Sequence, residues 1–313
     1  MRLGTSLRFL FPTSPATHTQ FQKTLAAVPP GTFIERPLGD YDTATQAHNL
    51  LEVAAATRAA GLDRLLFGDN HAVSPAYANS FAPIPSLARL MAETGDMPVG
   101  LVLLAPFYQP IVLAEQLGTL AAFDMPFKTR VGRLEENVSL LRRLLAGESV
   151  THEGRYQRLR NVQISPLPPH PIALWIAGTV PASAERAGRI GDGWLTGQNA
   201  DRAALAEQLD IYGEAAARAG RTPNAVLRRD IYCGASDAEA DAAVNPILEF
   251  GYRGTGRDTL LVGGPQTIVQ QLREYRAMGF EEVLVRHIVG DHALMLQSFA
   301  RLGRDVLPAI RGL

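Results

Sequence analysis

The chain has 313 residues, enough for one large barrel or two ordinary domains. Hydrophobic residues make up 46% and charged residues 19%, and 30 basic against 31 acidic side chains leave a net charge of −1. That balance gives no electrostatic footprint for nucleic acid and no reason to expect a membrane-surface partner. The one cysteine, Cys233, excludes an internal disulfide and a cysteine-rich metal site, and in the run Ile231-Tyr232-Cys233 it reads as a small buried hydrophobe. Arg8 interrupts the N-terminal apolar stretch too early for a signal-peptide core, and no run reaches the length of a membrane helix, so the cytoplasm is the expected compartment.

Leu3, Thr5, Leu7, Phe9 and Phe11 alternate and predict a first strand. A helix over 43–60 ends at Gly61, a strand follows over 62–67, and Gly68-Asp69-Asn70 stops it. Residues 85–93 read as helix, 99–104 as a continuous apolar strand, and Pro110 opens a helix over 111–123. A second amphipathic helix over 127–145 follows directly, with Asp124-Met125-Pro126 alone between the two, so no strand fits there. After a polar hairpin-like stretch over 149–164, strand and helix alternate again. The strands fall at 173–177, 194–196, 227–233 and 283–288; the helices at 183–190, 201–219, 237–250, 267–278 and 292–310.

Strands alternating with helices imply parallel βαβ units, and apolar strands imply burial on both faces. The fold expected is α/β, a (β/α)8 barrel of the TIM type with seven strands visible and the fourth missing near Phe123, in one domain over 1–313 that carries a hairpin insertion at 149–164.

In such a barrel chemistry sits at the carboxyl ends of the strands. Asp69 and His71 follow the second strand and offer an acid–base pair, or a capped turn with a surface histidine. Gly178-Thr179-Val180-Pro181-Ala182-Ser183 opens a helix, where backbone N–H groups and the dipole suit a phosphate; the plainer role is N-capping by Ser183. Gly263-Gly264-Pro265 is a second such turn, read chiefly as a cap. Trp194 suits either a stack beside a flat cofactor or the core. There is no Walker A loop, no G-x-G-x-x-G after a strand, no H-E-x-x-H and no G-x-S-x-G. His152, His170, His287 and His292 lack ligand spacing, so no metal site is expected.

Five stretches in the right order resemble the luciferase-like flavin monooxygenases. They are Gly61 to His71; Met97-Pro98-Val99-Gly100 onward to Leu120; Phe127 to Glu136; His152-Glu153-Gly154-Arg155-Tyr156; and Ile176-Ala177-Gly178-Thr179 onward to Gly191-Asp192-Gly193-Trp194. The resemblance implies an eight-stranded barrel with reduced flavin at its mouth, the cofactor carrying the hard chemistry and the protein supplying position and dryness. It places Leu104 and Ala105 under the flavin ring, Asp69 and His71 near ring and substrate, Gly178, Thr179 and Ser183 on the phosphate, and Trp194 and Thr196 along the pocket. Members of that family carry a Gly-rich strand where this chain runs from helix to helix.

The first expectation is therefore a monooxygenase using reduced FMN and oxygen on a small organic substrate, supplied by a separate flavin reductase, and a homodimer as the family implies. The alternatives are an oxidoreductase using the deazaflavin F420, and a degenerate barrel that binds flavin without turnover.

Overall fold

The computed structural model of the chain describes residues 1–7, 43–68, 83–102, 129–164, 167–168, 170–249, 252 and 256–312. The strands are β1 (Arg2–Leu7), β2 (Arg64–Gly68), β3 (Val99–Val102), β4 (Val150–Glu153), β5 (Arg158–Val162), β6 (Trp175–Gly178), β7 (Gly193–Thr196), β8 (Ala225–Cys233), β9 (Leu261–Gly263) and β10 (Glu282–His287). The helices are α1 (Thr43–Ala59), α2 (Pro83–Thr94), α3 (Arg130–Leu145), α4 (Pro181–Ile190), α5 (Arg202–Arg218), α6 (Asp237–Glu249), α7 (Pro265–Ala277), α8 (His292–Arg301) and α9 (Leu307–Arg311).

Eight strands form one parallel sheet in the order β3-β2-β1-β10-β8-β7-β6, with β9 paired to the far end of β8. The sheet curls. Val102 from one end of the path and Trp175 from the other pack on the same inner cluster of Leu66, Leu195, Val226 and Leu284. Side chains one residue along each strand point the opposite way, toward the helices. Leu3, Leu65, Phe67, Leu227, Ile231, Val283 and Val285 lie in that outer core with α1, α7 and α8.

The path ends at β3 and β6, and residues 103–128, α3 and the β4–β5 hairpin lie between them in sequence; the proposed loss of the fourth strand falls in 103–128, outside the described residues. Beneath the inner cluster the buried Glu282 carboxylate pairs with Arg64 and, at 3.0 Å, with Arg2, and the Arg64 guanidinium lies 4.6 Å from the Trp175 ring centre.

Most predicted elements are present with shifted ends. The sequence reading missed β9, a strand only three residues long that pairs with one neighbour. The last helix, expected to run unbroken over 292–310, widens into a π-helical turn at Leu302–Val306 before α9. Pro308 explains the break: it lacks an N–H to bond back, and its ring crowds the carbonyl four residues earlier.

The hairpin β4–β5 is antiparallel and is anchored to α3 by Glu136. That carboxylate accepts the backbone N–H of Tyr156 at 3.1 Å and of Gln157 at 2.8 Å, and meets His152 Nε2 at 3.0 Å. Burial alone would raise the Glu136 pKa, yet these hydrogen bonds outweigh it and hold the group below the usual carboxylate value of 4.5. A depressed carboxyl stabilises the fold above its unfolded value and loses that contribution as pH falls through the lower folded value. Urea midpoints between pH 3 and pH 7 will therefore drop more steeply on the acid side for the native chain than for Glu136→Gln. Parallel curves would show that the anchor carries no linkage.

Candidate functional site at the barrel mouth

The carboxyl ends of β6 and β7 bring together five of the residues singled out in the sequence. Gly178 ends β6, and Thr179 and Val180 are exposed in the turn that opens α4. Pro181 takes the first helical position, where a missing N–H is harmless. Ser183 sits on the third helical residue rather than at the cap: Val180 N–H donates to its Oγ at 3.0 Å, and its hydroxyl donates back to the Val180 carbonyl at 2.6 Å. A side chain on Gly178 would overlap Ser183, so bare backbone forms the surface there. The positive end of the α4 dipole and this exposed backbone fit a phosphate, with Thr179 the hydroxyl free to reach it.

Trp194 and Thr196 point away from the barrel interior. Trp194 is fully buried with Ile176, Val138, Ala184, Ala187 and Tyr212, its ring 5.5 Å from that of Tyr212. It reaches the mouth only through its indole N–H, which donates to the Gly178 carbonyl at 3.3 Å. The cause is alternation: Leu195 joins the inner cluster, so its neighbours on β7 face the helices. Trp194 thus supports the turn from behind and does not line the pocket. Thr196, likewise buried, accepts the Arg228 N–H at 3.0 Å and ties β7 to β8. Asp69, His71, Leu104 and Ala105 lie outside the described residues.

The second glycine turn is filled. Gly264 N–H donates to Asp237 Oδ1 at 2.7 Å and the Thr267 hydroxyl to Asp237 Oδ2 at 3.0 Å, so a carboxylate of the chain already occupies the start of α7. A cleft of about 700 Å³ beside it is lined by Asp237, Thr267, Asn245 and the Arg257–Asp241 pair. Cys233 is buried, which pushes its thiol up to about 12 and leaves it inert.

Charged residues inside the barrel were missed from the sequence. Arg228 and Asp230 share the strand face of Val226, and Arg286 that of Leu284, so all three point inward above the apolar cluster. Arg286 Nη2 donates to Asp230 Oδ2, and the Tyr252 hydroxyl donates to the same oxygen at 2.7 Å. Burial pulls the Arg286 pKa down but the Asp230 charge outweighs it, so the guanidinium stays charged. The signal was present: Arg228-Arg229-Asp230 and Arg286 interrupt strands that are otherwise apolar. Arg229, the residue between, faces outward. It is fully buried and donates to the carbonyls of Gly197, Gln198 and Ala200 at 3.3, 3.1 and 2.7 Å, pinning the loop after β7 at the mouth.

Comparison with known proteins agrees with this architecture. The model of a family described as luciferase-like monooxygenase matches residues 28–124 and 121–254, two segments that meet where the sequence left no room for a strand. An F420-dependent glucose-6-phosphate dehydrogenase of Intrasporangium calvum is 27% identical over 259 residues, covering 66% of this chain and 77% of the relative. The chain spans about half the length of further relatives so described. Monooxygenase RslO1 from Streptomyces bottropensis superposes with a TM-score of 0.77 at 20% identity, over 98% of this chain and 99% of that one. An F420-dependent secondary alcohol dehydrogenase in complex with an F420–acetone adduct superposes with a TM-score of 0.69 at 14% identity, over 99% of both chains.

The placements of Trp194, Thr179 and Ser183 separate their roles. Trp194→Ala will cost about 3–5 kcal/mol of stability, as loss of a large core side chain does, read from urea midpoints. Thr179→Ala will leave the midpoint unchanged, whereas Ser183→Ala, which unties the helix start, will lower stability by about 1 kcal/mol. An unshifted Ser183→Ala midpoint would remove its capping role.

Proposed function

The chain belongs to the luciferase-like monooxygenase family, and on that footing we propose that it is an oxidoreductase that uses the deazaflavin F420 on a hydroxyl- or carbonyl-bearing substrate. The observation that carries the cofactor is the description shared by its curated relatives, F420-dependent glucose-6-phosphate dehydrogenases at 27–31% identity. The geometry is compatible. Backbone at Gly178, the Thr179 hydroxyl and the first turn of α4 would hold the cofactor's phosphate. A deazaflavin bound there supplies two-electron chemistry. The chain's own part is to fix the phosphate, to exclude water with the apolar layer of Leu66, Leu195, Val226 and Leu284, and to present Arg228, Asp230 and Arg286 at the mouth.

FMN monooxygenase is the second reading, favoured by the fit to RslO1 over nearly the whole of both chains. Anaerobic titrations with F420 and with FMN, followed by absorbance and fluorescence, separate the two. The expected result is saturable F420 binding tighter than that of FMN, weakened about tenfold or more by Thr179→Ala, since a hydrogen bond to a charged group is worth roughly 1.5–3 kcal/mol. Tighter FMN binding, with oxygen consumed once the flavin is reduced, would put the monooxygenase first. Binding of neither cofactor would leave the non-catalytic barrel.

A further inference from the structure

One buried cation has no carboxylate to meet. Arg229 is fully buried, and among the described residues it makes no ion pair. Its donors are all engaged by neutral oxygens. Nε donates to the Tyr275 hydroxyl at 3.0 Å, Nη1 to the carbonyls of Gly197, Gln198 and Arg228 at 3.3, 3.1 and 3.0 Å, and Nη2 to that of Ala200 at 2.7 Å. Taking a guanidinium out of water without an opposite charge is costly, and an apolar side chain of similar volume would fill the same space without that penalty. An apolar side chain could not draw three carbonyls of one loop toward a single point. What the arginine adds is a fixed place for the loop over 197–200.

That loop touches the turn that opens α4. The β6–β7 register pairs Gly178 with Thr196, so the next residues, Thr179 and Gly197, lie side by side. They are in close contact: a Cβ on Gly197 would come within 2.7 Å of Thr179 Cγ2 and 3.1 Å of its Cβ. The Thr179 methyl is thus seated on the bare backbone of Gly197. A β-branched side chain has few choices of χ1, so seating the methyl decides where the hydroxyl goes. Thr179 is exposed, with its hydroxyl turned off this contact. Gly197 is buried, and its carbonyl is held twice, by Arg229 and by the Thr196 hydroxyl at 3.3 Å. Its φ is not left-handed, so glycine is needed here for space and not for conformation.

We infer that Arg229 is a positioning residue for the cofactor's phosphate: by holding the Gly197 carbonyl it sets the surface on which the Thr179 methyl rests, and so the place of the hydroxyl that meets the phosphate. The inference rests on the proposed role of Thr179 in cofactor binding. The buried guanidinium itself touches no ligand and acts through Gly197.

The test is a pair of double-mutant cycles on the full chain, read as dissociation constants for F420 and FMN, with riboflavin as the probe that lacks a phosphate. One cycle combines Arg229→Lys with Thr179→Ala. A lysine keeps the charge but, with a single nitrogen, cannot span the three loop carbonyls. The other combines Gly197→Ala with Thr179→Ala and leaves the buried arginine in place, so it decides the matter if Arg229→Lys does not fold. Arg229→Lys and Gly197→Ala are each expected to weaken the phosphate-bearing cofactor about three- to tenfold in the native background, and about twofold at most once Thr179 is alanine, since residues that act through one group do not add. Riboflavin binding is expected to stay unchanged. A general loosening of the fold would instead weaken all three ligands alike, with losses that add to that of Thr179→Ala, and would overturn the inference. So would cofactor binding left unchanged by both variants. Tighter binding of FMN than of F420, with the same coupling, would overturn the F420 reading and leave the role of Arg229 standing. Binding of neither cofactor would defeat the phosphate site and the inference together.

Discussion

The molecule depends on one inner layer of apolar side chains. Leu66, Leu195, Val226 and Leu284, with Val102 and Trp175 from the two ends of the sheet path, meet at the centre of the curled sheet. Because side chains alternate along a strand, fixing that layer fixes the direction of every other residue on these strands. Below it the same face carries the Glu282 ion cluster, and above it the Asp230–Arg286 pair. Charge at both ends and hydrocarbon between them is a stable order only because each buried charge has an opposite within reach. The Glu282 carboxyl shows the strain in that order. Burial pushes its pKa up, against the pull of Arg64 and Arg2.

Much of the family's sequence signature around Gly191-Asp192-Gly193-Trp194 builds the frame. Asp192 accepts the Leu174 N–H at 2.8 Å and two guanidinium groups, Arg142 at 2.7 Å and Arg221 at 3.3 Å, joining α3, the start of β6 and the end of α5. Gly188 lets α4 lie against α5: a side chain there would come within 2.6 Å of the Tyr212 carbonyl. Trp194 fills the space these contacts enclose. The stretch that carries most of the resemblance therefore says more about how the turn at Gly178 is held than about what binds to it.

The parallel α/β class, the hairpin and most element positions were legible in the sequence, because runs such as Val283–Ile288 and the heptad-like face of α3 advertise their period. The ends were less so. β9 is too short to show a period, and the π-helical turn before Pro308 is a local compromise that no pattern announces. At the site, the Gly178–Ser183 turn was found because glycine, proline and serine mark a helix start. The direction of Trp194 was not, since an aromatic residue on a short strand suits either face until its neighbour Leu195 is placed. Arg228, Asp230 and Arg286 were passed over because charges inside apolar runs carry no motif. Their meaning lies in the pairing across β8 and β10, which register alone supplies.

That pairing shows how one strand serves two ends at once. Arg228, Arg229 and Asp230 are consecutive, so they face in, out and in. Outward, Arg229 spends its donors on the loop after β7 and rests 5.0 Å from the Tyr275 ring centre. Inward, Asp230 pairs with Arg286 across β10. A shift of one residue in the β8 register would exchange these roles, leaving an unpaired arginine inside and a carboxylate against backbone carbonyls. The outward bonds of Arg229 oppose that slip, so the buried clamp beneath the loop also keeps the inward pair in register.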